Sequence, residues 1–152
     1  MTDETFMCTA LKEAACAFEK GDCPIGAVVV HKGQIIARAH NQVELLKDPT
    51  AHAEMIAITQ AASTLGYERL IDTTMYVTME PCAMCAGALV LARVKKLVFS
   101  AADAKAGACG TLYNIVQDDR LNHRLEIQKG LLAEESRALI QEFFRKLRKE
   151  KR

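Results

Sequence analysis

Cys82 and Cys85 stand three positions apart in "PCAMCAGALV" (residues 81–90), directly behind a proline. A pair at this spacing serves as a redox couple, as half of a structural zinc or iron–sulfur site, or as part of a catalytic metal centre. Each use demands different companions. A structural zinc needs two further protein ligands, whereas a catalytic zinc takes three in all and keeps one position for water. Histidine is the usual nitrogen donor, and the chain has four. His31 falls in a hairpin turn, His40 at a strand end, and His123 in "LNHR" before the last strand. His52, in "PTAHAEM", is the one that combines a helix start with a neighbouring carboxylate, Glu54.

Spacing limits what these residues can do together. Positions two apart in a regular helix face opposite sides, so His52 and Glu54 converge only in an irregular first turn. Cys82 and Cys85 share a helix face. Both pairs then lie at helix N-termini, where unpaired N–H groups and the helix dipole favour thiolates. Two thiolates and a neutral imidazole balance the charge of Zn²⁺, which makes partial burial tolerable. One nitrogen and two sulfurs leave a fourth coordination position. As a fourth ligand Glu54 would close it. As an outer carboxylate it would take a proton from metal-activated water, whose pKa falls to about 7. The competing reading is a redox pair, with Glu54 capping a helix and His52 unrelated.

The elements that must carry these residues follow from periodicity and breakers. Met7, Leu11, Ala14 and Phe18 mark one face of a helix over 4–20, stopped at Gly21. "PIGAVVV" (24–30) and "QIIARAH" (34–40) have strand composition, and Lys32-Gly33 predicts a hairpin between them. A helix over 54–65 closes at Gly66, and 73–78 is a strand. Pro81 opens a helix to about residue 93. Then come a strand over 95–100, a small-residue loop "AADAKAGACGT" (101–111) containing Cys109, and a strand over 124–130. A last helix turns Leu132, Leu139, Phe143 and Leu147 inward. Helices interleaved with strands imply an α/β sandwich around one sheet, in a single domain over residues 1–152. The 81–93 helix has no polar face, which predicts burial all round, by its own domain or by a second subunit. Cys8, Cys16 and Cys23 are expected to be small buried apolar groups.

Composition excludes some classes. With 50% hydrophobic and 26% charged residues the chain is ordinary for a globular protein. No apolar run approaches the ~20 residues of a membrane span. Six cysteines in 152 residues do not suggest a disulfide scaffold, and the acidic "MTDETFMCTALKEA" does not resemble a secretion signal, so a cytoplasmic location is expected. The net charge of +1 hides an uneven distribution: "RKLRKEKR" (145–152) holds six bases and one acid, so it carries +5 and the remainder −4. That basic end suits a phosphate-bearing partner. Its plainer reading is a solvated helix end.

The order H-A-E (52–54) and then P-C-x-x-C (81–85) resembles the zinc-dependent nucleoside and nucleobase deaminases. The likeness runs along nearly the whole chain. "PIGAVVV", "ARAHN", "DPTAHAEM", "YVTMEPCAMCAGAL", "DAKAGACGTL", "NHR" and "FFRKLR" follow the order seen in bacterial tRNA-specific adenosine deaminases. Small cytidine deaminases usually have cysteine at the position of His52, which points away from them; cytosine and guanine deaminases share the histidine. The resemblance implies a three-layer α/β/α sandwich around one five-stranded mixed sheet, cytidine deaminase-like. It implies one Zn²⁺ per subunit on His52, Cys82 and Cys85, with Glu54 as proton shuttle. The implied reaction is hydrolytic deamination of adenosine to inosine at the wobble position of a tRNA anticodon loop, that of an arginine tRNA, with a metal-activated hydroxide attacking C6. Deamination of free guanine, cytosine or a nucleoside at the same centre is the alternative. By the same resemblance Asn41 hydrogen-bonds the flipped nucleoside, Asp103 touches a neighbouring nucleotide, and Asn122 and His123 order their loop or line the nucleotide groove. Ala102 departs from members that have a basic or bulky residue there. The expected partners are the anticodon stem-loop and a second copy of the chain in a homodimer, with Lys146, Arg148, Lys149 and Lys151 following the RNA backbone.

Overall fold

In the computed structural model, which describes residues 1–150, β1 (Gly26–His31) and β2 (Gln34–His40) form the predicted hairpin. Its turn takes Lys32 and Gly33 through positive φ, 51° and 77°, the combination of a tight hairpin turn whose twist matches its strands. Lys151 and Arg152, which end the basic segment and include one expected RNA contact, lie outside the described residues.

Five strands make one mixed sheet in the order β2-β1-β3-β4-β5. β3 (Thr73–Met79) runs antiparallel to β1, while β4 (Lys96–Ala101) and β5 (Glu126–Lys129) are parallel to it in sequence across the sheet. Successive residues along β1 alternate between the two sides. Val28 and Val30 join Phe6, Met7 and Ala10 of α1 (Asp3–Glu19) in one core cluster. Ala27 and Val29 join Ala53, Ala57 and Ala61 of α3 (Ala53–Leu65), with Leu89 of α4 (Ala83–Leu91), in the other. α5 (Ala133–Glu150) packs beside α1, so helices cover both faces. This is the expected three-layer α/β/α sandwich. α2 (Val43–Leu46) is a single turn between β2 and α3.

Three details refine the expectation. Within its own chain α4 is covered on one side: Cys85, Ala86, Leu89 and Val90 turn inward, while Leu91 is 78% exposed and Ala83 is exposed, so burial all round would need a second subunit. The helix lies on the outside of its layer, so its own chain covers one side only. It also begins two residues later than expected, because Cys82 is extended (ψ 178°) and caps it. Cys8 is exposed and Cys16 and Cys23 are half-buried, not buried. Cys8 lies on α1 beside buried Met7, but one residue along a helix turns it about 100° away from the sheet. In α5, Leu139, Phe143 and Leu147 are half-buried, and Ser136 is the one buried residue. Phe143 meets Phe18 of α1 edge-on at 5.8 Å between ring centroids.

Candidate metal centre and active site

Two helix starts meet on one face of the sheet, and both begin with a candidate ligand. His52 caps α3 and Cys82 caps α4, each in an extended backbone conformation and neither spending its side chain on capping. Both side chains therefore turn off the helix ends toward each other. Cys85, one turn into α4, falls on the same side as Cys82. The ligand atoms of His52, Cys82 and Cys85 lie within 4.8 Å of one another.

The chemistry of a metal fits these positions. A tetrahedral zinc with Zn–N of about 2.05 Å and Zn–S of about 2.3 Å sets its N···S edges at about 3.6 Å. His52 Nδ1 is 3.6 Å from Cys82 Sγ and 3.6 Å from Cys85 Sγ. The cluster also separates charge. Hydrogen bonding from Cys85 and then from His52 pulls the Cys82 thiol down to about 3. Its bond to Cys82, then burial, pushes the Cys85 thiol up. His52 is raised, chiefly by its bond to Cys82. Negative charge is thus concentrated on sulfur at the head of α4, where the helix dipole favours it.

Glu54 is the second residue of α3, and His52 precedes that helix as its extended cap, so the two leave the chain from different backbone conformations. It is 4% exposed, and its Oε1 is buried with no hydrogen-bond partner among the described residues. Burial pushes its carboxyl up to about 7. An unpartnered buried carboxylate oxygen costs folding free energy and has no structural use.

The other expected residues fall in three places. Asn41 is buried, and its Oδ1 accepts from Ala53 N at 2.8 Å, tying the end of β2 to the first residue of α3. Asp103 opens the loop after β4, where its Oδ1 accepts from Lys105 N at 3.0 Å and Ala106 N at 3.2 Å. His123 Nε2 lies 2.7 Å from Val94 O, and exposed Asn122 precedes it. Val94 precedes β4 and Asp103 follows it, so His123 is anchored at the far end of that strand. Two clefts meet at Cys23 and Phe144, and neither is lined by His52, Cys82 or Cys85. One, of about 490 Å³, is lined by Asn41, Asp22 and Phe143; the other, of about 640 Å³, by Asp103, Met79, Arg137 and Ile140.

Sequence reading missed Glu80. It lies between β3 and Pro81, is 3% exposed, and accepts four hydrogen bonds from the loop after β4. Its signal was an acid between an apolar strand and the Pro-Cys step, a position with no reason for charge unless donors converge on it.

The MafB19-like deaminase family model matches residues 1–148. The tRNA-specific adenosine deaminase of Bacillus subtilis (strain 168) is 53% identical over 150 residues, covering 99% of this chain and 93% of that protein. This chain belongs to the tRNA-specific adenosine deaminase family. It is, with them, a hydrolytic deaminase. Among solved structures, one from studies of A-to-I editing by tRNA:A34 deaminases at the wobble position of transfer RNA has a TM-score of 0.86 and 41% identity, covering 89% of this deaminase and 98% of that chain. A guanine deaminase from Bacillus subtilis gives a TM-score of 0.66 at 41% identity, over 73% of this chain and 71% of that one. No helix among the described residues of the deaminase is long and apolar enough to cross a membrane.

Proposed function

We propose that this deaminase converts adenosine to inosine at the wobble position of a tRNA anticodon loop, that of an arginine tRNA. One zinc ion per subunit is held by His52, Cys82 and Cys85. The observation that carries the reading is the buried, unpartnered Glu54 Oε1 beside a three-ligand cluster. A redox pair has no use for such a group, and a structural zinc would take a fourth protein ligand.

Bound zinc supplies Lewis acidity, lowering the pKa of water to about 7. Glu54 would take one proton from the attacking water and deliver it to adenine N1 as C6 is attacked, then take the second from the new C6 hydroxyl and pass it to the departing amine. Water is consumed, ammonia leaves, and inosine remains. Asn41 has its Oδ1 committed to Ala53 N, so its amide N–H groups are the donors left for the flipped nucleoside. Asp103 meets the next nucleotide along the cleft that it lines with Met79 and Arg137. Asn122 and His123 act by ordering their loop. The Val94 contact supports that role over a direct RNA contact. Anticodon loops present bases that are already unpaired or easily splayed, which lowers the cost of extruding the target.

The chain functions as a single domain in a cytoplasmic homodimer, its basic end following RNA phosphates. The exposed outer side of α4, apolar through Ala83 and Leu91, supports the dimer. Sedimentation of the purified protein as a monomer would remove that part.

The deciding experiment incubates the zinc-loaded protein with an arginine-tRNA anticodon stem-loop beside free adenosine, guanine and cytosine, reading inosine and ammonia. Inosine from the stem-loop alone is expected. Efficient turnover of free guanine, the activity of the guanine deaminase relative, would replace this reading with a nucleobase deaminase.

A further inference from the structure

We propose that Glu80 is a positioning residue: its carboxylate locks loop 103–111 onto the strand end that carries Cys82, and so sets where Asp103 meets the nucleotide beside the target. The proposal rests on the function proposed above for its consequence in catalysis, though not for the lock itself.

Loop 101–111, "AADAKAGACGT", is short of side chains that could order it. Small residues leave the backbone its greatest freedom, at about 1–2 kcal/mol for each residue ordered. One buried side chain compensates at both ends of the segment. Glu80 Oε1 accepts from Asp103 N at 3.1 Å where the loop begins and from the Thr111 hydroxyl where it ends. Glu80 Oε2 accepts from Cys109 N at 2.9 Å and Thr111 N at 3.1 Å. All four partners are N–H or O–H groups of the loop. The same junction is joined through the backbone by Glu80 N to Ala101 O at 2.8 Å and Ala108 N to Pro81 O at 2.9 Å.

Gly107 shows how closely the parts fit. A Cβ there would lie 2.5 Å from Glu80 Cδ and 2.6 Å from Asp103 O. Only a residue without one lets the loop close over the carboxylate. Cys82 is two residues past Glu80, so the segment that offers a metal ligand is the segment to which the Asp103 loop is fastened.

The acceptor pattern makes Glu80→Gln a selective perturbation. At the Oε2 position both partners are backbone N–H groups, so an amide nitrogen there would face two donors. The amide therefore turns its nitrogen toward the Oε1 position, where the Thr111 hydroxyl can rotate to accept but Asp103 N cannot. The variant strands Asp103 N–H and frees the loop at the Asp103 end.

The test uses the full-length zinc-loaded protein with three variants, Glu80→Gln, Gly107→Ala and Thr111→Val. Gly107→Ala pushes on the lock from the loop side and leaves the carboxylate intact. Three quantities are measured: zinc per chain, amide hydrogen exchange over 103–111, and KM and kcat on the anticodon stem-loop. For Glu80→Gln and Gly107→Ala we expect zinc at one per chain, exchange at Asp103 faster by about tenfold or more, KM raised about tenfold, and kcat changed by less than about threefold. Thr111→Val should show a smaller shift of the same kind. Wild-type exchange and KM in both of the first two variants would overturn the proposal, as would activity lost in proportion to zinc. If Glu80→Gln does not fold, Gly107→Ala and Thr111→Val decide by the same criteria. A wild-type protein that makes no inosine from the stem-loop would sink the proposed function instead, and the exchange data would still judge the lock.

Discussion

Two buried carboxylates lie close to the metal cluster, and they are opposites. Glu80 is 3% exposed and both its oxygens are filled by loop donors; Glu54 is 4% exposed and its Oε1 has no partner among the described residues. Burial is therefore equal, and hydrogen-bond satisfaction is not. A buried charged group that is fully bonded holds structure together, while one left short of partners is a cost that folding alone would remove. On the function proposed above, the difference separates a residue kept for architecture from one kept for chemistry.

The sharpest way to break the contrast is Glu54→Gln. A buried carboxylate without a partner should not be missed by the fold, so thermal stability should stay level or rise. Turnover should fall by about 10³-fold, the scale of a lost general acid–base group, while zinc stays at one per chain. Single-turnover rates on the anticodon stem-loop, with metal content measured on the same sample, check this. A variant that keeps wild-type turnover would show that Glu54 is not the proton carrier. A variant that loses its zinc in parallel would make Glu54 part of the metal site rather than a group acting beside it.

The clustering of His52, Cys82 and Cys85 was legible in the sequence because it depends on local spacing. Cys82 and Cys85 share a helix face wherever that helix packs, and His52 with Glu54 needed only a helix start. The strands were legible for the same reason, since β1 alternates its residues between two cores. Two things were not legible. Whether α4 is covered depends on which elements lie outside it, and composition describes its surface but not its neighbours. The role of Glu80 depends on a loop more than twenty residues downstream folding back over it, a long-range contact that no local pattern encodes.

The second way to sharpen the comparison is truncation of the satisfied carboxylate. Glu80→Ala removes the acceptor for four donors at once and strands N–H groups of Asp103, Cys109 and Thr111 in a partly buried loop. Bonds to a charged group contribute about 1.5–3 kcal/mol each, but they are not additive, and water will reach some of the freed donors. A loss of about 2–4 kcal/mol in urea unfolding is expected. Set against a neutral or stabilising Glu54→Gln, this gives the two carboxylates opposite signs. Equal effects would remove the distinction drawn between them.

Glu13 supplies the calibration, because it is bonded like Glu80 but lies nearer solvent. Its Oε1 is 2.9 Å from His40 Nδ1 and its Oε2 accepts from Arg38 Nε at 2.9 Å. Burial alone would raise this carboxyl, but the bonds from His40 and Arg38 outweigh it and hold the group below its ordinary range. The folded state thus binds its proton less readily than the unfolded chain does. Its contribution is present above the unfolded value, near pH 4.5, and drains away as pH falls through the lower folded value. Arg38 is half exposed, so solvent screens the pair and Glu13→Gln should cost only about 1 kcal/mol at neutral pH. Unfolding curves of wild type and variant should converge as the pH is lowered from 4.5 through the depressed folded value. A gap that stayed constant with pH would mean that Glu13 contributes packing rather than charge. The scale would then have to be rebuilt before the larger Glu80 effect could be attributed to its hydrogen bonds.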